Sequence, residues 1–343
     1  MESILVLGHC DESGTAPSKG SLEAVTAGKE LATRLDATLT LGIVGGDAIA
    51  AANNLGCAGA RLLVVSGDPF LRARFASDAA ACEAICRAAQ ATIVIAPHSS
   101  RFARVMAAVA HRVGGSIDTH IAALGGTQSL EVSRWFYRQR MEAVFTRSSR
   151  PWFLLLDAET HKPHVGEAAS MKVEQVAVEL PELRTTVSGT RSSEYGGAGT
   201  IRPEAKLLFV AGAGWTKKQP DGQIRALEAS NLILQFLRSS GASLGSSKSL
   251  VDQGGEGNAV LPFLSHLNQV GQTGSTPRHP KGLATCCHGE EPHVVGWRFV
   301  GERRAISLDP NCGWARGKAD VVYIADAFQV IAQVNALLQA RDS

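Results

Sequence analysis

The chain has 343 residues, 45% of them hydrophobic and 19% charged, with a formal net charge of +2. That length exceeds what one hydrophobic core usually supports, so two domains are expected. The even charge excludes the concentrated basic face that nucleic acid requires, and no apolar run approaches the ~20 residues of a membrane span, so neither nucleic acid nor membrane insertion is expected.

Residues 4–7 are an apolar run ending at Gly8 and read as a strand. It begins without a basic start or a small-residue cleavage site, so no export signal is expected and the protein reads as cytoplasmic. Residues 22–35 are Ala-rich with helical spacing, and 38–44 form a strand closed by Gly45-Gly46. A helix follows over 47–55 with Asp47 as its N-cap. Then come a strand at 61–65, a helix at 77–89, a strand at 92–96 and a helix at 99–113. Strands alternating with helices imply βαβ units and a parallel sheet. From 121 to 178 the pattern changes, and 132–137, 143–146 and 152–156 read as hairpin-connected strands, an antiparallel extension of that sheet.

Residues 181–203 read as a linker: they hold Pro181, a Ser/Thr/Arg-rich run and Gly196-Gly197-Ala198-Gly199. They separate a first domain over 1–180 from a second over 204–343. The second repeats the βαβ grammar, with strands at 206–210, 282–285, within 300–308 and at 321–324, and helices at 224–239 and 327–339.

Several segments could carry chemistry. Gly212-Ala213-Gly214 follows a strand and precedes a helical pattern, as a dinucleotide fingerprint would; the third glycine is missing, and a tight turn is the alternative. Gln269-Val270-Gly271-Gln272-Thr273-Gly274 is a Gly-rich loop whose backbone N–H groups could approach a phosphate or a flavin edge, although plain turns look the same. Cys286-Cys287-His288-Gly289-Glu290-Glu291-Pro292-His293 gathers metal-binding residue types, but adjacent cysteines clamp one zinc poorly and no Cys-x-x-Cys partner exists, so no metal is assigned. The seven cysteines, Cys10, Cys57, Cys82, Cys86, Cys286, Cys287 and Cys312, fit reduced thiols better than a disulfide framework. Cys82 and Cys86, one helical turn apart, read as packed thiols. Glu23, His111 and Asp118 read as surface or cap residues. No Ser–His–Asp grouping or Walker loop is visible, which argues against hydrolase or NTPase chemistry.

Taken in order, Gln269–Gly274, Gly289, His293, Asp309-Pro310 and Ala319-Asp320 resemble the C-terminal domain of the electron-transfer flavoprotein alpha subunit. The resemblance implies an α/β protein of two domains: an N-terminal nucleotide-binding-like parallel sheet with an antiparallel extension, and a C-terminal FAD-binding doubly wound parallel sheet. It implies that FAD lies against Gly212, Ser247 and Lys248, with Ser247 hydrogen-bonding the cofactor and Lys248 favouring an anionic reduced flavin. Gln269, Val270, Gly271, Gln272, Thr273 and Gly274 would line the flavin, with the Thr273 hydroxyl near N5. His288 and Gly289 would meet the pyrophosphate at a helix N-terminus, and His293 the flavin C2 carbonyl. Ser307 and Asp309 would contact the adenosine half, and Asp326 the adenine region.

The implied activity is that of an electron carrier rather than an enzyme. The first domain docks an electron-transfer flavoprotein beta subunit in a heterodimer, a dehydrogenase donates electrons, and a quinone oxidoreductase accepts them. A mobile FAD domain would let one carrier meet both. The family's arginine is replaced by Gly214 and its next glycine by Trp215. Lys248, Glu290-Glu291-Pro292 and Ser307 also depart from the pattern. These changes suggest a diverged member with an altered flavin potential or a specialised donor. Two alternatives are a flavin-free structural partner subunit and a nicotinamide-dependent oxidoreductase using Gly212 and Gly214.

Overall fold

Alternate residues of the first apolar run face opposite layers: Ile4 and Val6 join one core, Leu5 and Leu7 another. A strand buried on both faces belongs inside a parallel sheet covered by helices, and this is what the structure, a computed structural model, contains. It describes residues 2–57, 60–127, 129–136, 141–189, 201–202, 205–253, 259–270, 279–287, 297 and 300–342, with only the backbone of Cys286, Cys287 and Asp342. The chain divides into two compact units, Met1–Gly189 and Thr190–Ser343.

The first unit runs β1 (Ser3–His9), α1 (Lys19–Leu35), β2 (Thr38–Gly45), α2 (Ala48–Leu55), β3 (Arg61–Ser66), α3 (Asp68–Leu71), α4 (Phe75–Ala89), β4 (Ile93–Pro97), α5 (Ser100–Ala103), α6 (Met106–Arg112), β5 (Ser116–Gly125), β6 (Glu131–Phe136), β7 (Met141–Phe145), β8 (Trp152–Leu156) and β9 (Val173–Gln175). These strands form one nine-stranded sheet in the order β7-β6-β5-β8-β4-β1-β2-β3-β9. Helices α1 and α2 cover one face, and α4 and α6 the other. Helix α1 starts where Ser18 accepts a hydrogen bond from the Ser21 N–H and ends at Asp36 in the left-handed region. It lies so close to β1 that a Cβ on Gly28 would stand 2.2 Å from Val6 Cγ2. Asp47 caps α2, accepting from the Ala50 N–H. Cys82 and Cys86 are packed inside α4's buried face, where burial pushes the Cys86 thiol up to about 12.

The antiparallel extension consists of β5, β6 and β7. Residues 152–156 are not its third hairpin strand: β8 returns to the interior and runs parallel between β4 and β5. Trp152-Phe153-Leu154-Leu155-Leu156 is buried at every position, which an edge hairpin with one wet face would not allow. Asp118 and Glu23 are not surface residues either. Asp118 is buried under Trp152, whose Nε1 donates to its carboxylate at 2.9 Å, and it is held by Arg147. Glu23 is buried and accepts from the Glu159 N–H at 3.0 Å.

The second unit runs β10 (Leu207–Ala211), a 3-10 turn (Ala213–Trp215), α7 (Ala226–Ser240), β11 (Ser243–Ser246), α8 (Lys248–Asp252), a 3-10 turn (His266–Asn268), β12 (Lys281–Cys287), β13 (Glu302–Ser307), α9 (Gly313–Lys318), β14 (Val321–Ile324) and α10 (Ala327–Asp342). Its five-stranded sheet has the order β11-β10-β12-β13-β14, with every pairing parallel. Residues of α7 and α10 close one face around Phe209, Leu244 and Ile306, and Trp314 of α9 closes the other around Leu208, Val210 and Ala305. This is a doubly wound sheet, and its strand order reverses between β10 and β12. In such sheets ligands bind outside the carboxyl ends of the strands at that reversal.

Candidate functional site

The carboxyl edge of the second sheet is where most of the described candidate residues lie. Gly212 follows β10, and its N–H donates to the Thr285 carbonyl of β12 at 3.0 Å. The chain then makes the 3-10 turn at Ala213–Trp215, and α7 begins only at Ala226. A dinucleotide fingerprint needs the glycine turn to open directly into a helix whose N-terminus faces the pyrophosphate. The turn at Gly212 lacks that helix, which counts against a nicotinamide site.

Trp215 is fully buried. Its Nε1 donates to Thr285 Oγ1 at 2.8 Å, and that hydroxyl donates onward to the Val210 carbonyl at 3.0 Å. Its ring packs 4.5 Å from that of Phe328. The indole therefore belongs to the core between β10, β12 and α10.

Ser247 follows β11. Its N–H donates to the Ala211 carbonyl at 2.9 Å, and its hydroxyl caps α8 by accepting from the Leu250 N–H at 3.2 Å. Lys248 is exposed and lies 3.8 Å from Asp252 in an i,i+4 ion pair. Gln269 and Val270 extend the same edge: Gln269 forms a short parallel bridge with Ser246, and the Val270 N–H donates to the Ser246 carbonyl at 3.1 Å. Both are buried. Gly245 permits this approach, since a Cβ there would stand 2.6 Å from Val270 Cγ2.

Ser307 ends β13 and lies in a local turn, its hydroxyl accepting from the Asp309 N–H at 3.2 Å. The Asp309 carboxylate accepts from the Asn311 N–H at 2.8 Å. Asp326 follows β14 and accepts from the Phe328 N–H at 2.8 Å at the start of α10. Ser307, Asp309 and Asp326 thus share the carboxyl edge, with their polar atoms engaged in turns and caps. Asp320 sits at the opposite end of β14, paired with Arg303 at 2.8 Å. Gly271, Gln272, Thr273, Gly274, His288, Gly289 and His293 lie outside the described residues, as do Glu290, Glu291 and Pro292.

Ser246 opens the Ser246-Ser247-Lys248 segment that the resemblance lays against the flavin, but sequence reasoning gave it no role of its own. Its hydroxyl is buried and has no hydrogen-bond partner among the described residues. A buried polar atom left without a partner costs about 1–3 kcal/mol, so an orphan at the mouth of a strand-order reversal fits a ligand bearing polar groups. Ser247 follows it in the chain and Gln269 bridges to it, both buried, while the buried Thr285 and Ser307 lie further along the same edge, on β12 and β13. The short strand Ser243-Leu244-Gly245-Ser246 carries no sequence signal that its last hydroxyl is buried without a partner among the described residues.

The chain thus holds two α/β units built on largely parallel sheets, the second with a strand-order reversal bordered by buried polar residues, the place where such sheets hold their ligands. The chain belongs to the electron transfer flavoprotein domain family, whose description matches residues 7–181. Proteins of that family are electron carriers rather than enzymes and usually bind flavin. The matched residues lie in the first unit. No curated protein matches the chain. Among the described residues, no helix is long and apolar enough to cross a membrane.

Proposed function

We propose that this protein is the alpha subunit of an electron-transfer flavoprotein, with FAD held on the carboxyl edge of the second unit's sheet and the first unit docked on a beta subunit. The observation that carries the reading is the edge itself. Gly212 and Ser307 follow or end strands along this edge, and Ser247, Gln269 and Val270 flank Ser246, whose buried hydroxyl has no partner among the described residues. Family membership supports the carrier class. The order of the downstream motifs supports the alpha assignment.

When bound, FAD supplies the redox chemistry. The chain's own residues bind, orient and shield it. The Gly212 turn lets backbone approach the ligand, Ser246 and Ser247 offer hydroxyls, and Lys248 places a positive charge at the rim. By the family resemblance, Gly271–Gly274, which follow Val270 in the sequence, would line the ring, with the Thr273 hydroxyl among the groups that tune it. The protein would carry electrons from a dehydrogenase to a quinone-linked acceptor. With Gly214 and Trp215 in place of the family's arginine and glycine, and Trp215 in the core, the guanidinium that other members place near the flavin has no counterpart at this turn. A specialised donor or a shifted flavin potential follows from that loss.

The test is the visible absorption spectrum of the chain co-purified with a co-expressed electron-transfer flavoprotein beta subunit. Flavin bands, with close to one FAD released per heterodimer on denaturation, are expected. A colourless folded heterodimer that takes up no flavin from excess FAD would favour the structural-subunit alternative.

A further inference from the structure

In the first unit β5, β8 and β4 lie side by side, and their carboxyl ends bring together three residues remote in sequence. His98 follows β4, Asp157 follows β8, and His120 lies within β5. Their backbones are pinned: the His98 N–H donates to the Leu156 carbonyl at 2.7 Å, and the Asp157 N–H to the Ile121 carbonyl at 3.0 Å. The pairing of β5 with both neighbours is irregular here, shifting between Asp118 and Ile121 against β8 and between Ile121 and Ala123 against β6. His120 sits in this bulge at φ +57°, in the left-handed region. Bulges of this kind re-aim a side chain, and a non-glycine residue held at positive φ marks a place where function is worth seeking.

The bulge brings the His120 ring to 4.0 Å from the His98 ring, centroid to centroid. His120 Nδ1 lies 3.0 Å from Asp157 Oδ1, and His98 Nδ1 lies 3.8 Å from the same oxygen. The second distance is too long for a hydrogen bond. Two ligands each about 2.0–2.1 Å from one tetrahedral zinc stand about 3.4 Å apart, a value these two separations bracket. One donor atom from each residue can be chosen so that all lie within 4.8 Å of one another.

The geometry points to a divalent transition-metal site formed by His98, His120 and Asp157. Two imidazoles and one carboxylate suit a borderline ion such as Zn²⁺ rather than the all-oxygen shells of Ca²⁺ or Mg²⁺. The site is open on one side, since the His120 side chain is 48% exposed while those of His98 and Asp157 are 20% and 22%. That leaves a coordination position for water or for a group on another protein. Burial pushes the His98 pKa down, and so do His120 and Arg134, while Asp157 opposes them. Arg134 is the nearby opposing charge, and it is itself paired with Asp118 at 3.7 Å. A bound ion would tie the ends of β4, β5 and β8 together. The site is independent of the flavin reading.

The test is Zn²⁺ titration of the metal-stripped full chain by calorimetry, with a parallel thermal melt. Four proteins are compared: wild type, His120→Asn, Asp157→Asn, and a Cys286→Ser/Cys287→Ser double variant that removes the adjacent thiols. Asn is chosen at 120 because it also tolerates positive φ. We expect one ion per wild-type chain, a raised melting temperature with Zn²⁺, a loss in affinity of about tenfold or more in both site variants, and no change in the cysteine variant. No Zn²⁺ uptake by wild type, wild-type affinity in His120→Asn and Asp157→Asn, or uptake abolished only in the cysteine variant would each overturn the assignment.

Discussion

The Trp215 indole donates to the Thr285 hydroxyl at 2.8 Å across the point where the second sheet reverses its strand order. The Gly212 N–H joins the same residue's carbonyl, so two hydrogen bonds lock β10 to β12 beside the candidate flavin edge. Trp215→Phe keeps most of the ring volume and removes the donor. A loss of about 1–3 kcal/mol is expected, read from urea unfolding followed by far-UV circular dichroism. An unchanged midpoint would show that the bond contributes nothing net.

In the first unit Arg101 and Asp78 form a buried pair, with Nε and Nη2 donating to the two carboxylate oxygens at 3.0 and 2.6 Å and Nη2 also reaching the Phe70 carbonyl at 2.6 Å. Burial pushes the Asp78 pKa up, and Arg101 pulls it back only in part. Arg101→Met strands the carboxylate and should destabilise by about 3–5 kcal/mol. Arg101→Met/Asp78→Asn should recover part of that. Protonation relieves a stranded carboxylate, so the deficit of the single variant shrinks in mild acid. A deficit that grows on acidification would contradict this account.

His9 ends β1, where its Nδ1 meets the Cys10 carbonyl at 2.8 Å and its Nε2 meets Ser99 Oγ at 2.9 Å. Burial pushes its pKa down from 6.5 to about 4. Between those values the unfolded chain binds a proton that the folded one does not, so stability falls as pH drops through this window. His98, His161 and His164 are also lowered by burial and add to the same fall. Denaturant midpoints measured across the window should decline with acid, and the decline should be shallower in His9→Gln. Equal slopes would remove His9 from the account.

Gly245→Ala would drive a methyl group against Val270, the last described residue before the Gly271–Gly274 segment. Overpacking of this kind costs about 1–3 kcal/mol and shifts backbone. Flavin retention through gel filtration should fall in this variant. It should not fall in Gly28→Ala, which crowds Val6 in the first unit.

Much of the fold was legible because apolar runs and helical spacing repeat cleanly. The edges of β1, β4 and β14 were found to within a residue or two, and Asp47 was read correctly as a cap. Strand β5 was missed because Ser116-Ile117-Asp118-Thr119-His120 lacks an apolar run and contains a bulge. Strand β8 was placed in a hairpin because it follows two antiparallel strands, although its unbroken apolar run pointed to an interior parallel position. Trp215 stands out in the sequence only as a departure from the family's glycine, because a turn after a strand says nothing of which way its side chain points. Asp118 looked like a surface acid for the same reason, and only the β5–β8 pairing buries it. His98, His120 and Asp157 had no joint signal, since topology alone brings them together.

The central claim is that FAD occupies the carboxyl edge of the second sheet, and hydrogen–deuterium exchange of the heterodimer with and without FAD tests it most directly. The account predicts slowed exchange on FAD binding at residues 211–216, 245–253, 265–274 and 305–312, with no comparable change at the carboxyl edge of the first sheet around His9 and Ser99. Protection confined to the first unit, with the second unchanged, would contradict it.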